Sequence, residues 1–176
     1  MIKKRVLLWL IMLVTFFLDG QISFFLSGWT DFRWLVTSQF LLISIFYISI
    51  LWRDLFSYLS LVLLGLFYDQ HYLLTIGLAT VLFPLVYFIL SITRRYWLKG
   101  KWDRAFALVL LQVLFPVGLY WLGYFYQLTT VTFSEFFNRQ MPGTILFNGM
   151  TLFFFFRYLE PVLFRGVDFR QISTEL

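Results

Sequence analysis

The sequence predicts an all-α integral membrane protein of six transmembrane helices, folded as a single domain over residues 1–176. Of the 176 residues, 61% are hydrophobic and only 13% are charged, whereas soluble domains carry about a quarter charged residues. Long apolar runs alternate with short polar turns, without the two-residue alternation of a half-buried β-strand. At roughly 20–25 residues per span, the length holds about six helices and leaves no room for a soluble catalytic module.

The first predicted helix follows the basic cluster Lys3-Lys4-Arg5 and runs through residues 6–26. A basic cluster before an apolar run also begins a signal peptide, but no small-residue cleavage site follows, so we expect an uncleaved helix. Asp19 lies in its outer third and should face the bundle, a water-filled cleft or a partner, because an ionisable group is costly in lipid. Alternatively, the helix ends near Asp19 and Gly20 caps it.

The second span is expected at residues 34–52, which carry no charge and have a tryptophan at each end, as in an interfacial belt. Arg53 and Asp54 form a tight turn, and the third span, residues 55–68, follows at once. This run covers only about 21 Å at ~1.5 Å per residue, less than the ~30 Å hydrocarbon core. We therefore expect sheltered polar ends or a locally deformed bilayer.

The fourth span is expected at residues 72–93, kinked at Pro84, and the fifth at residues 105–126, interrupted by Pro116 and Gly118. Residues 132–139 place three phenylalanines on one face, so a short interfacial helix is expected there. Pro142 and Gly143 then begin the sixth span, which ends near residue 156 and is followed by a tail of mixed charge.

The distribution of basic residues predicts the orientation. With a cytoplasmic amino terminus, the six-span map places twelve of the fourteen Lys and Arg residues inside, and only Arg33 and Arg139 outside. Basic residues concentrate on the cytoplasmic side of membrane proteins. Both termini are therefore expected in the cytoplasm.

Two helices flank the polar turn Asp69-Gln70-His71, around which the chain is organised. Gly65 lies four residues before Asp69 on the same helical face, and Gly77, Thr80 and Pro84 share a face on the returning helix. Small residues let helices approach closely in a membrane. The two faces are expected to meet each other or a partner helix, although packing alone would also explain the glycines.

Catalytic and cofactor chemistry finds no support in the sequence. There is no cysteine, and His71 is the single histidine, whereas a metal site needs several converging ligands. A nucleophile elbow and phosphate-binding glycine loops are also missing. We expect a protein that is not an enzyme and binds no cofactor or metal. Asp19 is the one serious candidate for proton or ion transport, with Glu160 near the inner end of the sixth helix.

A basic loop at residues 94–104 contains interleaved aromatic residues. Attraction to anionic lipid headgroups explains this composition. Nucleic-acid binding would need an extra assumption and is not expected, while a cytoplasmic partner stays possible. The expected lipid-facing residues are Arg94, Arg95, Lys99, Lys101 and Arg104.

Three segments resemble the rod shape-determining protein MreD family: the run at residues 19–23, the run at 65–69 followed by 76–78, and Pro142-Gly143-Thr144 with Asn148. The first is most similar to members from streptococci and related lactic acid bacteria. The resemblance implies a multi-pass protein of the bacterial plasma membrane that has no enzymatic activity. It implies binding to MreC and other membrane proteins of the cell-elongation complex, in support of lateral or peripheral peptidoglycan synthesis. Candidate interface or packing residues are Asp19, Gly20, Gly65, Asp69, Gly77, Pro142 and Asn148.

The family's fold is also similar to the substrate-binding S-components of energy-coupling-factor vitamin transporters. An alternative hypothesis is therefore a small-molecule subunit with an outer pocket at the loops after spans one, three and five. That pocket would include Asp19, Asp69 and residues 132–139, although no polar ligand pocket is obvious from the sequence. Under the interaction hypothesis, Gly65→Leu should weaken partner co-purification and spare membrane insertion.

Overall fold

A computed structural model describes residues 2–52, 54–75, 77–97 and 100–163 of the chain. Predictions about Arg53, Ile76, Lys99, the tail from 164 to 176, and the side chains of Lys3, Lys4, Arg5 and Arg95 lie outside the described residues or side chains. The described part is helical. Its helices are α1 (Ile2–Trp29), α2 (Phe40–Leu51), α3 (Leu55–Tyr68), α4 (Leu78–Trp97), α5 (Lys101–Phe125), α6 (Phe133–Phe154) and the single turn α7 (Glu160–Leu163).

Helix α1 continues unbroken through Asp19 and Gly20, so the alternative that it ends there is wrong. Gly20 serves packing. A Cβ at this position would lie 2.2 Å from the Tyr72 hydroxyl, which donates a 2.8 Å hydrogen bond to the carbonyl of Phe16. The glycine therefore lets Tyr72 reach the backbone of α1.

Helix α2 differs most from the prediction. The expected span at 34–52 is helical only from Phe40 to Leu51, and residues 35–39 before it have no regular secondary structure. Nine of the twelve residues of α2 are buried, because α1, α3, α4 and α5 surround it. Protein contacts rather than lipid enclose this short helix.

Helix α3 occupies the predicted residues, and a π-helical turn, Asp69–Leu73, continues it. The return helix begins at Leu78 instead of residue 72. Leu74 and Gly77 have φ values of 51° and 112°, in the left-handed region where a helix cannot continue. These two residues end the turn and delay the start of α4.

Helix α6 merges two predicted elements. The expected interfacial helix at 132–139 and the sixth span form one continuous helix from Phe133, capped by Thr132 and Glu135 in a reciprocal capping box. Pro142 lies inside this helix and does not begin it. A π-helical segment, Phe155–Leu159, then joins α6 to α7.

Within the described residues, two helical stretches are long and apolar enough to cross a membrane by themselves: Trp9–Trp29 and Lys101–Phe125. Phe40–Leu51 and Leu78–Arg94 are apolar but shorter. Together with the composition, these stretches indicate a membrane protein. They do not establish the predicted six spans or the location of the termini.

Candidate functional site

Residues 35–39, which we call the extended segment, lie between α1 and α6. Their backbone amides point alternately to the two helices, as the amides of a β-strand point alternately to its two edges. Those of Leu35, Thr37 and Gln39 donate to α6, and those of Val36 and Ser38 donate to α1. The segment is thus bound on both sides by helices in place of neighbouring strands.

On α1, Asp19, Ser23 and Ser27 form a polar ladder at four-residue spacing. The hydroxyls of Ser27 and Ser23 accept the amides of Val36 at 3.0 Å and Ser38 at 2.8 Å. Asp19 caps α2: its Oδ1 accepts from the amide of Phe40 and the hydroxyl of Ser38, both at 2.7 Å, and its Oδ2 accepts from the amide of Leu41 at 2.8 Å. The carboxylate faces the bundle, the first of the three alternatives that the sequence left open, and the residue is only 6% exposed.

On α6, Gln140, Thr144 and Asn148 form a second ladder at the same spacing. Asn148 bridges the extended segment, accepting the amide of Gln39 at 3.1 Å and donating to the carbonyl of Thr37 at 2.8 Å. Thr144 accepts the amide of Thr37 at 3.1 Å, and Gln140 donates to the Thr37 hydroxyl at 2.8 Å. The ladder therefore holds the segment through both its backbone and a side chain.

Pro142 and Gly143 lie within the same stretch of α6. Pro142 has no amide hydrogen to give the helix, and the nearby carbonyl of Arg139 accepts the amide of Leu35 at 2.8 Å. A Cβ on Gly143 would lie 2.8 Å from a methyl of Val36. The glycine allows the extended segment to lie against α6.

The two ladders provide hydrogen-bond partners for a stretch of backbone that is not helical. Non-helical backbone at membrane depth must find hydrogen-bond partners inside the protein. Both α1 and α6 supply such partners at every described amide from Leu35 to Leu41. The two ladders and residues 35–41 together form what we call the polar layer. Its role is structural, because its backbone amides are hydrogen-bonded within the chain.

Asp69 has a parallel role at the start of α4. Its carboxylate is fully buried and accepts from the amides of Gly77 at 2.9 Å, Ala79 at 2.7 Å and Thr80 at 3.0 Å, and from the Thr80 hydroxyl at 2.7 Å. An acidic side chain at a helix N-terminus satisfies free amides and complements the helix dipole. Asp69 lies in the turn as predicted, but its carboxylate points into the chain and not toward a partner.

Gly65 brings α3 and α4 together. A Cβ there would lie 2.5 Å from the Cα of Thr80, so the two small-residue faces meet each other, the first of the two alternatives in the sequence. A leucine at this position must separate α3 from α4. The Gly65→Leu substitution would therefore disturb the fold and cannot report on a partner alone.

At the opposite end of the bundle, two of the predicted lipid-facing arginines are buried. Arg94 donates to the carbonyl of Ile50 at 2.8 Å, and Arg104 pairs with Glu160 at 2.8 Å, with both side chains under 10% exposed. Tyr47 also donates to Glu160, at 2.9 Å. These arginines connect helices, so the prediction that they face lipid is wrong. Lys101, from the same predicted group, is exposed.

A cavity of about 500 Å³ lies beside the polar layer. Most of its wall is apolar and aromatic, and residues of both ladders form one side. Neither polar atom of the Gln39 side-chain amide, nor the hydroxyl of Thr75, has a hydrogen-bond partner among the described residues. The cavity is lined in part by Asp19, Gln39, Tyr68, Thr75, Phe115, Tyr120, Phe136 and Arg139.

The structure brings Asp19, Gly20, Pro142 and Asn148 to one region, and Gly65, Asp69 and Gly77 to the α3–α4 turn. Sequence reasoning missed the polar residues that complete the ladders, although their four-residue spacing from Asp19 and Asn148 is visible in the chain. No group of three or more potential metal ligands converges among the described residues. The ladder residues missed as candidate site residues are Ser23, Ser27, Gln140 and Thr144, and those missed in the extended segment are Thr37, Ser38 and Gln39.

Comparison with known proteins gives a consistent result. A family model described as rod shape-determining protein MreD matches residues 3–162. The chain is also 30% identical over 148 residues to the cell shape-determining protein MreD of Streptococcus pneumoniae (strain ATCC BAA-255 / R6), covering 82% of this chain and 88% of that relative. No solved structure gives a significant match.

Proposed function

The chain belongs to the MreD family of rod shape-determining proteins, and on that premise we propose that it is a multi-pass scaffold that binds the single-span protein MreC. Family membership gives it a cell shape-determining role in a bacterial membrane. In the proposal, the scaffold has no enzymatic activity, has both termini in the cytoplasm and supports peptidoglycan synthesis with other elongation-complex membrane proteins.

The observation that carries this proposal is that the buried polar side chains form their hydrogen bonds within the chain. Asp19, Asp69 and Asn148 all bond within the chain. What the described helices present outward is apolar, including Phe24 and Phe25 on α1 and Leu146 and Phe153 on α6. In a membrane such faces contact lipid or another helix, so recognition would rest on helix packing.

Gly149 marks the face of α6 that we assign to the partner. Glycine inside a helix is destabilising by roughly 1 kcal/mol relative to alanine. Gly65 and Gly143 have close internal neighbours that require a glycine, but a Cβ on Gly149 would meet nothing within 4 Å. With no packing reason inside the described chain, this glycine is suited to close approach by an outside helix.

We expect Gly149→Leu to reduce co-purification with MreC about tenfold, because a bulky side chain would push the partner helix away from α6. The measurement is a mild-detergent pull-down from membranes, with the retained partner quantified by mass spectrometry. The variant alone should unfold at the temperature of the parent chain or higher, since Gly149 is exposed and leucine is the better helix former.

Val109→Phe is the matched control. Val109 is a half-exposed apolar residue on α5, and extra bulk there should leave partner recovery unchanged. If Gly149→Leu retains MreC as fully as this control does, the α6 face is not the interface. If the parent chain retains no elongation-complex protein at all, the scaffold proposal itself fails.

The cavity supports a second candidate, a substrate-binding subunit of a vitamin transporter. Its wall includes Asp19 and residues of the α6 first turn, near the outer loops where the sequence placed such a pocket. A co-purified vitamin, together with transporter subunits in place of elongation-complex proteins in the pull-down, would favour this candidate.

A further inference from the structure

We infer that the cavity beside the polar layer is a binding site for a neutral amphiphile, a molecule with an apolar body and an uncharged hydrogen-bonding head. This inference rests on the unpartnered Gln39 amide and on the character of the wall. It does not depend on binding to MreC, so the two proposals fail separately.

Gln39 is the first indication of a ligand. Its side chain is 4% exposed, yet neither the amide oxygen nor the amide nitrogen has a partner among the described residues. Buried polar groups are nearly always hydrogen-bonded, because leaving one unpaired forfeits its hydration without return. The backbone amide of Gln39 is held by Asn148, so the fold does not need the side-chain amide to fix the extended segment.

Thr75 adds a second open group on the wall of the same cavity. Its backbone amide donates to the carbonyl of Asp69 at 3.1 Å, but its buried hydroxyl has no partner among the described residues. Together the two side chains offer both donors and acceptors. A head that carries hydroxyl and carbonyl groups would satisfy them.

The charges around the cavity indicate an uncharged head. Asp19 uses both oxygens in capping α2, and its negative charge would repel an anion. Glu135 and Arg139 are exposed, with Glu135 committed to its capping box. Among the described residues of the wall, an anionic head beside Gln39 would have no buried counter-charge, and a cationic head would have only Asp19, whose two oxygens already accept hydrogen bonds. Burying a charge without a free partner is strongly unfavourable.

The remaining wall matches an apolar body. Aromatic and aliphatic side chains, among them Tyr68, Phe115, Leu119 and Phe136, form most of it. A volume of about 500 Å³ lies within the range of roughly 300–1,000 Å³ typical of small-molecule sites. A single medium-length acyl chain with a small polar head fits this size and polarity.

The test uses the full chain in phosphatidylcholine nanodiscs and two probes with the same chain, neutral glycerol monolaurate and anionic laurate. A ligand that binds only the native state raises the unfolding temperature, by an amount that grows with the logarithm of its concentration divided by its Kd. Glycerol monolaurate should raise the Tm, and laurate at the same concentration should not. Gln39→Met, which keeps the side-chain length but removes the amide, should weaken the apparent affinity for glycerol monolaurate about tenfold.

Without probe, Gln39→Met should unfold at the same temperature as the parent or higher, because it removes an unpaired polar group. Gln112→Met is the matched control, since Gln112 is also buried with an unpartnered amide nitrogen but does not line the cavity. This variant should keep the full Tm response.

Thr75→Val gives a second test variant, and it should weaken the Tm response to glycerol monolaurate as Gln39→Met does. Equal responses to both probes, no response in the parent, or an unchanged response in both Gln39→Met and Thr75→Val would overturn the inference.

Discussion

Asp19 and Asp69 show how a single carboxylate can organise a helical membrane protein. Asp19 lies within α1 and Asp69 directly after α3, and each caps the first amides of another helix, Asp19 those of α2 and Asp69 those of α4. Hydrogen bonds from amides to a carboxylate are stronger than those between neutral groups. An ionisable residue in a membrane segment usually indicates a functional pathway, but here the bonds assign both residues to architecture.

Replacing Asp19 with asparagine should lower the free energy of unfolding by about 1–3 kcal/mol, because the amide that replaces one oxygen cannot accept a backbone N–H. Thermal or denaturant unfolding in nanodiscs measures the change. Asp31→Asn, at an exposed position after α1, is the control and should be nearly neutral. A stable Asp19→Asn protein that had lost a proton flux seen with the parent in proteoliposomes would instead indicate a carrier.

At the scale of elements, the helices are joined by specific polar contacts as well as by packing. The extended segment links α1 to α6, the Gly65 contact joins α3 to α4, and the Arg104–Glu160 ion pair joins α5 to α7. Helices in a membrane gain little from the hydrophobic effect on association, because lipid tails are equally apolar. Close packing and interhelical hydrogen bonds must therefore fix which helices are neighbours.

The Arg104–Glu160 pair gives a prediction at this scale. Arg104→Leu should destabilise the protein by about 3–5 kcal/mol, because it removes the salt-bridge partner of a buried carboxylate. The double variant Arg104→Leu/Glu160→Leu should recover much of that loss, as measured by thermal unfolding. Lys101→Leu, one turn earlier and exposed, is the control and should have little effect. A double variant no more stable than Arg104→Leu would show that the loss does not come from the unpaired carboxylate of Glu160.

Among the described residues, arginine contacts lie at two opposite ends of the helices. At one end Arg139 approaches the carbonyl of Phe32, and at the other Arg104 pairs with Glu160. Along α6 and its extension, Arg139 and Glu160 are roughly 30 Å apart at ~1.5 Å per residue, close to the hydrocarbon thickness of a bilayer. This distance matches the thickness of a bilayer and is the same for either orientation, so the proposed orientation rests on the distribution of basic residues in the sequence.

The orientation can be tested directly, because the chain contains no cysteine. In intact cells, a membrane-impermeant maleimide should label Arg33→Cys, and it should label Lys101→Cys only after the membrane is opened. Both residues are exposed, so labelling reports the side of the membrane and not burial. The reverse pattern, or labelling of both in intact cells, would contradict termini inside with an even number of spans.

The sequence by itself determined the class of the protein, the family and the positions of most helices. Apolar runs and the absence of charge are properties of local composition, so α1, α3 and α5 were predicted close to their observed bounds. Asp19 was likewise expected to face the bundle, a water-filled cleft or a partner, since lipid exposure of a carboxylate is unfavourable at any sequence position.

Only the tertiary structure decided which polar groups meet. Residues 35–39 are as uncharged as a helical span, and nothing local shows that ladders on α1 and α6, up to 111 residues away along the chain, would hold them extended. The inward turn of Arg94 and Arg104 likewise depends on distant partners. Hydrogen bonds between remote segments override local preference, because a buried backbone group adopts whichever conformation gives it a partner.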